Sequence, residues 1–191
     1  MRNLGHRLGA SGTILENTIE GLLESLDLVS DRRFKYWEFD VRESSDGVLF
    51  AFHDDCIKVN GKMIETRNLS YDEIYRAGES MMIRIPKFQQ IIEVLADREE
   101  RVMIEIKNVH SDAAREILFR TVSNNEDWML MSTPERFIES FPSETRDLWN
   151  ERAGTLGVRL VRVGRHRVDL FRASRYSIKW YFAKPKWFFG F

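Results

Sequence analysis

The sequence predicts an α/β protein of the TIM-type (β/α) barrel class, short at its C-terminal end and carrying an insertion after the third strand. Three observations lead there. Short apolar or alternating runs recur with helical segments between them, which is the pattern of β/α units around a parallel sheet. With 191 residues, 43% hydrophobic and 12% aromatic, the chain can bury one substantial core and is short for two, so residues 1–191 are read as one domain. A closed eight-stranded barrel usually takes about 250 residues and rarely fewer than about 200, whereas six strands are legible here with a seventh at 178–183.

The strands are expected near 2–5, 36–41, 48–53, 101–107, 127–132 and 156–162. A helix over 18–28 follows from Ile19, Leu22, Leu23 and Leu26 on one face, with Asn17 as its N-cap candidate. A second opens with Pro86 in the first turn and carries Phe88, Ile91, Ile92 and Leu95. Others start at Ser111, at Thr133-Pro134 and at Ser143, and Ser70-Tyr71-Asp72-Glu73 has the form of a capping box. The segment 56–84 breaks the β/α rhythm and reads as an insertion on one face of the sheet. There is no internal repeat and no Gly/Ser or Pro-rich linker.

A net charge of -1 gives no general attraction to nucleic acid or acidic surfaces. The average hides an asymmetry, because from Leu156 onward nine Lys or Arg face one acid, Asp169. One cysteine, Cys56, precludes an internal disulfide, and no apolar run approaches the roughly 18 residues of a membrane span. The start, Met1-Arg2-Asn3-Leu4-Gly5-His6, lacks the regions of a secretory signal, so a cytoplasmic setting is expected.

The chemistry is concentrated in the strands. In Tyr36-Trp37-Glu38-Phe39-Asp40-Val41, alternation places Glu38 and Asp40 on one face and Trp37, Phe39 and Val41 on the other. Met103-Ile104-Glu105-Ile106-Lys107 repeats the device with Glu105 and Lys107. Strands this apolar are buried on both faces in a parallel sheet, so ionised groups within them need partners. A hard cation is one such partner, and three carboxylates with water suit magnesium or calcium. The competing reading pairs each acid separately with an Arg or Lys at a strand end.

His6 ends the first expected strand and His53 the third, at the carboxyl edge where β/α sheets carry their sites. Two imidazoles supply a general acid and a general base near neutral pH, as phosphodiester cleavage requires. Arg7 offers a planar guanidinium to two phosphate oxygens and Lys107 a point charge to a third. His110, His166 and Cys56 lie outside this pattern.

These residues, in this order, resemble the glycerophosphodiester phosphodiesterase family of the phospholipase C-like barrel group. The resemblance rests on Gly5-His6-Arg7, Glu16-Asn17-Thr18, Glu38-Phe39-Asp40-Val41, Asp46-Gly47, His53-Asp54, Leu69-Ser70-Tyr71-Asp72-Glu73-Ile74, Ile85-Pro86 and Ile104-Glu105-Ile106-Lys107, and covers about residues 3–135. Leu8 and Leu15 stand where the family usually has Gly and Pro. The resemblance implies His6 and His53 as the catalytic pair, Glu38, Asp40 and Glu105 as metal ligands, and Arg7 and Lys107 as phosphate contacts. The implied reaction is metal-dependent hydrolysis of a small-molecule glycerophosphodiester to glycerol phosphate and an alcohol. Two other readings share the same residues: a phospholipase D-like enzyme of the sphingomyelinase D type acting on lipid headgroups, and an incomplete barrel that binds a ligand or partner without turnover.

From 172 to 191 five basic residues interleave with eight aromatic ones and no acid. Such a tail suits peripheral contact with an anionic membrane; the plainer reading is a docked terminus or irregular final strands. No nucleic-acid module accompanies it, so no nucleic-acid partner is expected.

Overall fold

The computed structural model of the protein describes residues 3–174. The seventh strand expected at 178–183 and most of the basic aromatic tail lie outside them. In chain order the elements are α1 (Ile19–Glu24), β1 (Trp37–Glu43), β2 (Leu49–Ala51), β3 (Cys56–Val59), β4 (Lys62–Glu65), α2 (Tyr71–Ser80), α3 (Phe88–Leu95), β5 (Val102–Asn108), α4 (Asp112–Ser123), β6 (Trp128–Ser132), α5 (Pro134–Ser140), α6 (Ser143–Leu156), β7 (Leu160–Arg162), β8 (Arg165–Asp169) and α7 (Leu170–Ser174).

The main sheet has the order β2-β1-β5-β6-β7-β8. Its four central strands, β1, β5, β6 and β7, are parallel, while β2 and β8 are antiparallel to their neighbours. The α/β class with a mostly parallel sheet is therefore as expected. The antiparallel run of β2 departs from the wholly parallel sheet, and chain length explains it. Only Ser44–Val48 separates β1 from β2, and a parallel crossover needs about a dozen residues or more. Gly47 turns that hairpin at φ 81°.

One face of the sheet is apolar throughout. Trp37, Phe39, Val41, Val102, Ile104, Ile106, Leu130 and Leu160 pack there with Phe88, Ile91 and Leu95 of α3 and Leu118, Phe119 and Val122 of α4. The other face holds a smaller cluster, Met103, Met131 and Val161, with Tyr36 and Val163 against it. The sheet is strongly curled toward this second face. Strands β1 and β8 are four steps apart, about 19 Å in a flat sheet, yet the rings of Tyr36, next to β1, and His166, in β8, lie 5.4 Å apart.

Several boundaries differ from the sequence reading for local reasons. Residues 3–18 form successive turns rather than a strand, although Gly5 O accepts from Glu38 N at 2.9 Å and Leu8 N donates to Glu38 O at 2.8 Å. Arg7 and Leu8 adopt φ of 51° and 58°, which coils the chain away after that brief alignment. Helix α1 stops at Glu24, and a short 3-10 turn covers Leu26–Ser30. Pro86 precedes α3 instead of opening it, because its carbonyl accepts from Ala51 N at 3.0 Å and Lys87 bridges Phe50. Helix α6 runs to Leu156 and is ended by Gly157 at φ 67°, which shortens the following strand.

The segment after His53 folds as the β3–β4 ribbon and α2. It packs with Phe50 and Ile85 on its own apolar cluster, which includes Ile57, Leu69, Tyr71 and Ile74. The capping box at Ser70 and Glu73 forms as read, with Ser70 N donating to Glu73 at 2.8 Å.

Close approach makes Gly5 irreplaceable. A Cβ there would lie 2.2 Å from the Tyr36 carbonyl oxygen and 2.8 Å from the Phe34 ring. Gly5→Ala is expected to lower the unfolding free energy by about 1–3 kcal/mol, in the range for an overpacked site. Urea titration measures it, and an unchanged midpoint would contradict the close packing of the first segment on β1.

Candidate active site

Strand alternation turns Glu38 and Asp40 of β1 and Glu105 and Lys107 of β5 toward the face opposite the large apolar core. The register sets Asp40 beside Glu105. Glu38, Asp40 and Glu105 are 1%, 1% and 6% exposed, and each offers an oxygen within 4.8 Å of the others. Burial and like charge disfavour ionisation of Glu38 and Glu105. Burial pushes Glu38 well above the ordinary carboxylate range, and the Asp40 and Glu105 charges push it further, against the Arg7 backbone N–H and Lys107. Burial also raises Glu105, and Asp40 adds to this while Lys107 opposes it.

The surrounding groups fix the acids in place. Asn17, itself 1% exposed, is bound on both sides of its amide: Nδ2 donates to Asp40 Oδ2 at 2.8 Å, and Oδ1 accepts from Asp40 N at 3.1 Å. Asn17 does this at φ 61°, a left-handed conformation that Asn tolerates better than most residues. The Arg7 backbone N–H donates to Glu38 Oε2 at 2.9 Å. Lys107 Nζ donates to Glu105 Oε1 at 2.5 Å and stands 3.2 Å from Asp40 Oδ1. Desolvation lowers the Lys107 pKa, but the two carboxylates outweigh it and hold the ammonium above its usual value. The ion-pair reading of the acids is thus partly realised, through one lysine shared by two of them.

Both histidines border this cluster. His6 Nε2 stands 3.7 Å from Glu38 Oε2, and its Nδ1 is 2.9 Å from Ser11 Oγ. His53 Nδ1 is 2.7 Å from Asp54 Oδ1, and His53 lies near enough to Glu105 to act on it electrostatically. His53 reaches the acids by a different route from the one expected. It does not end a parallel strand; the β1–β2 hairpin folds back, and Phe52 N donates to Asp40 O at 3.3 Å. Arg7 is also placed differently from a simple phosphate ligand. Its Nη1 donates to both oxygens of Glu16 at 2.7 Å, and its Nε lies 3.7 Å from Asp40 Oδ2.

Two buried polar atoms here have no hydrogen-bond partner, Glu38 Oε1 and Arg7 Nε. Buried orphans are uncommon, and at a site they point to a missing ion or solvent molecule. Three carboxylates, one with an oxygen unpaired, form a hard-oxygen donor set that fits a divalent metal.

The sequence assigns no role to Ser11, Asp54 or Arg42 and offers Asn17 only as the N-cap of α1, a place that Thr18 takes, its hydroxyl accepting from Gly21 N. Asn17 and Asp54 belong to motifs quoted above, Ser11 lies between two of them, and the contacts of all three follow only from folding. Arg42, 3% exposed, reaches under the His53 loop. Its Nε donates to Phe52 O at 3.1 Å, and its Nη2 donates at 2.7 Å to both His53 O and Asp55 Oδ1.

A curled, mostly parallel α/β sheet with an acidic centre able to hold a metal places the chain in the class of proteins structurally similar to (β/α) barrels. The chain belongs to the glycerophosphoryl diester phosphodiesterase family, whose model matches residues 6–180. That match extends the resemblance read from the sequence toward the C-terminus. Solved structures agree in fold. A Silicibacter pomeroyi protein assigned to the glycerophosphoryl diester phosphodiesterases is 18% identical, with a TM-score of 0.53 over 83% of this chain and 80% of its own. A Galdieria sulphuraria protein assigned to the glycerophosphodiester phosphodiesterases is 18% identical, with a TM-score of 0.55 over 77% and 57%. A glycerophosphodiester phosphodiesterase from Parabacteroides distasonis is 20% identical, with a TM-score of 0.50 over 82% and 71%. No curated protein matches the sequence. Among the described residues no helix is long and apolar enough to cross a membrane.

Proposed function

We propose that the protein hydrolyses glycerophosphodiesters to glycerol phosphate and an alcohol, with a divalent metal held by Glu38, Asp40 and Glu105. The observation that carries this reading is the three-carboxylate cluster, within 4.8 Å, with the unpaired Glu38 Oε1 and His6 Nε2 3.7 Å from Glu38 Oε2. Oxygens of one coordination sphere lie at most two bond lengths apart, about 4.6–5.2 Å for calcium and about 4.0–4.2 Å for magnesium. A span within 4.8 Å admits one hard cation, calcium or magnesium, among the three acids. When bound, the metal would supply a Lewis acid for a non-bridging phosphate oxygen.

The chain's own residues do the rest. His6 and His53 serve as the general acid–base pair. Ser11 and Asp54 each engage a ring Nδ1 and orient the imidazoles. Lys107 balances Asp40 and Glu105 and presents its ammonium to a phosphate oxygen. Arg7 offers charge at the same edge while Glu16 holds its guanidinium in place. Asn17 keeps Asp40 fixed in orientation, so the acids need not reorganise when substrate arrives.

Purified protein should release glycerol phosphate from glycerophosphocholine with added calcium or magnesium, followed by phosphorus NMR, and stop on adding chelator. His6→Ala and His53→Ala should each lower kcat by about 100-fold or more. Full activity in both variants would refute the assignment, and metal binding without turnover of any diester would favour a binding barrel.

A further inference from the structure

The turn between β7 and β8 gathers positive charge that the fold does not balance. Arg159, Arg162, Arg165, Arg167 and Arg172 lie close together in sequence with one acid among them, Asp169, and no Asp or Glu follows it in the chain. Gly164, at φ 71°, turns the chain so that Arg162 and Arg165 stand directly opposite each other across the two strands. Like charges in that position are destabilising, and both residues are partly buried, which weakens screening by water. Burial and the Arg165 charge lower the Arg162 pKa, with Glu135 opposing them, although a guanidinium stays charged throughout. Asp169 offers no relief: it stands opposite Val161, and its Oδ1 accepts from Arg172 N. Among the described residues no carboxylate pairs with Arg165 or Arg167.

This turn lies at the sheet edge that carries Lys107. Strands β5, β6 and β7 are parallel, and Ser132 stands beside Arg162 while its Oγ donates to Ile106 O at 2.9 Å. Val163 N donates to Ser132 O at 3.0 Å and holds the turn against β6. Arg162 is thus level with Ile106, the neighbour of Lys107, at two strand spacings, about 10 Å. Each guanidinium is a planar fork that bonds two phosphate oxygens, and a phosphomonoester close to doubly charged at neutral pH offsets both arginines at once. A carboxylate, with one charge and two oxygens, satisfies one fork only. A polyol brings no charge at all.

We propose that the Arg162–Arg165 pair is a phosphate-binding site separate from the acidic cluster, taking a phosphomonoester carried by the alcohol portion of the diester or by a free effector. The first source rests on the hydrolase reading above, and the site itself does not. The full chain, free of metal, is melted at pH 7 with methyl phosphate or with sodium chloride of equal ionic strength. Without phosphate, Arg165→Gln should melt above the unmodified protein, because the opposed charges are gone. Methyl phosphate at about ten times its dissociation constant should raise the unmodified melting temperature by about 3–5 °C over the chloride control. Arg165→Gln should not move, while Arg167→Gln, outside the pair, should keep the shift. No shift, a shift retained by Arg165→Gln, or one abolished equally by Arg167→Gln overturns the proposal, the last by making the effect a diffuse field. Kinetics with metal added then separate the sources. If the substrate carries the phosphate, kcat/KM for glycerophosphoglycerol phosphate exceeds that for glycerophosphoglycerol by about tenfold or more, and Arg165→Gln removes the excess. If an effector carries it, methyl phosphate changes the rate on glycerophosphoglycerol in the unmodified protein and not in Arg165→Gln. Turnover with neither kinetic effect makes the site an adventitious anion contact only and overturns the proposal. If no diester is hydrolysed, the hydrolase reading fails, and the melts alone decide the site.

Discussion

Replacing Glu38 by Gln is expected to make the metal-free protein more stable at neutral pH while removing about 1,000-fold of its activity. The two effects have one origin. Glu38 is held above the ordinary carboxylate range by burial and by the Asp40 and Glu105 charges. A folded-state pKa above the unfolded one means that the folded protein binds the proton more tightly. Stability is then greatest below the unfolded carboxylate value, declines as pH rises through the interval between the two values, and stays reduced above the folded one. Gln keeps an acceptor for the Arg7 N–H, carries no charge and turns an amide toward its acidic neighbours, so the decline should shrink. Activity is expected to respond the other way, because in the proposed site the metal would lose one of three ligands. A Lewis acid worth several kcal/mol lost at about 1.36 kcal/mol per decade gives roughly three decades in rate. Calcium should raise the melting temperature of the unmodified protein at pH 7 and do little at pH 4, where protons compete for the same oxygens. In Glu38→Gln the calcium effect should be small at both. Thermal melts with and without calcium at the two pH values measure this, and an equal calcium shift in the variant would remove Glu38 from the metal site.

The same chemistry explains which parts of the site were legible in the sequence. Two acids at alternate positions of an apolar strand are a local signal, and β1 and β5 place their side chains by backbone geometry alone. Asp40 and Glu105 then meet because parallel neighbours pair in register. The sequence brings His53 near the acids, but not by the path it takes. The sequence reading took 48–53 as another parallel strand, although the five residues between β1 and β2 admit only a hairpin. His6 was found as the end of a strand, whereas left-handed Arg7 and Leu8 make its segment a set of turns. Backbone sign at non-glycine residues has no local signature in composition or periodicity. Arg42 was invisible for another reason: an arginine in an alternating strand reads as solvent-facing, and only the fold shows that the hairpin closes over it.

Arg42 leads to the second large effect, an expected fall of about 100-fold in kcat for Arg42→Met with KM little changed. The guanidinium is 3% exposed and bonds the carbonyls of Phe52 and His53 as well as Asp55, so it fixes the height of the His53 backbone over the acidic cluster. Asp55 is in turn held from the other side by Arg136 of α5, whose Nη2 bonds both its oxygens at 2.7 and 2.6 Å. Burial pushes Asp55 upward, but the bonds from Arg136 and Arg42 prevail and hold it below its ordinary value. A depressed carboxylate contributes stability that is present above its unfolded pKa and lost as pH falls through the folded one, so the clamp is intact near neutrality and loosens only in strong acid. Met fills the volume and leaves two carbonyls without their donor. Because Asp55 is half exposed and keeps Arg136, the stability cost should sit near the lower end of a broken buried pair, about 3 kcal/mol. Catalysis should suffer more than that, since a displacement of about 1 Å in a catalytic group costs about two decades in rate. Lys in this position can reach one acceptor but not all three, so Arg42→Lys should recover stability more fully than kcat. Denaturation and steady-state kinetics on both variants separate the roles: a kcat that falls only with the folded fraction would make Arg42 a structural brace and nothing more.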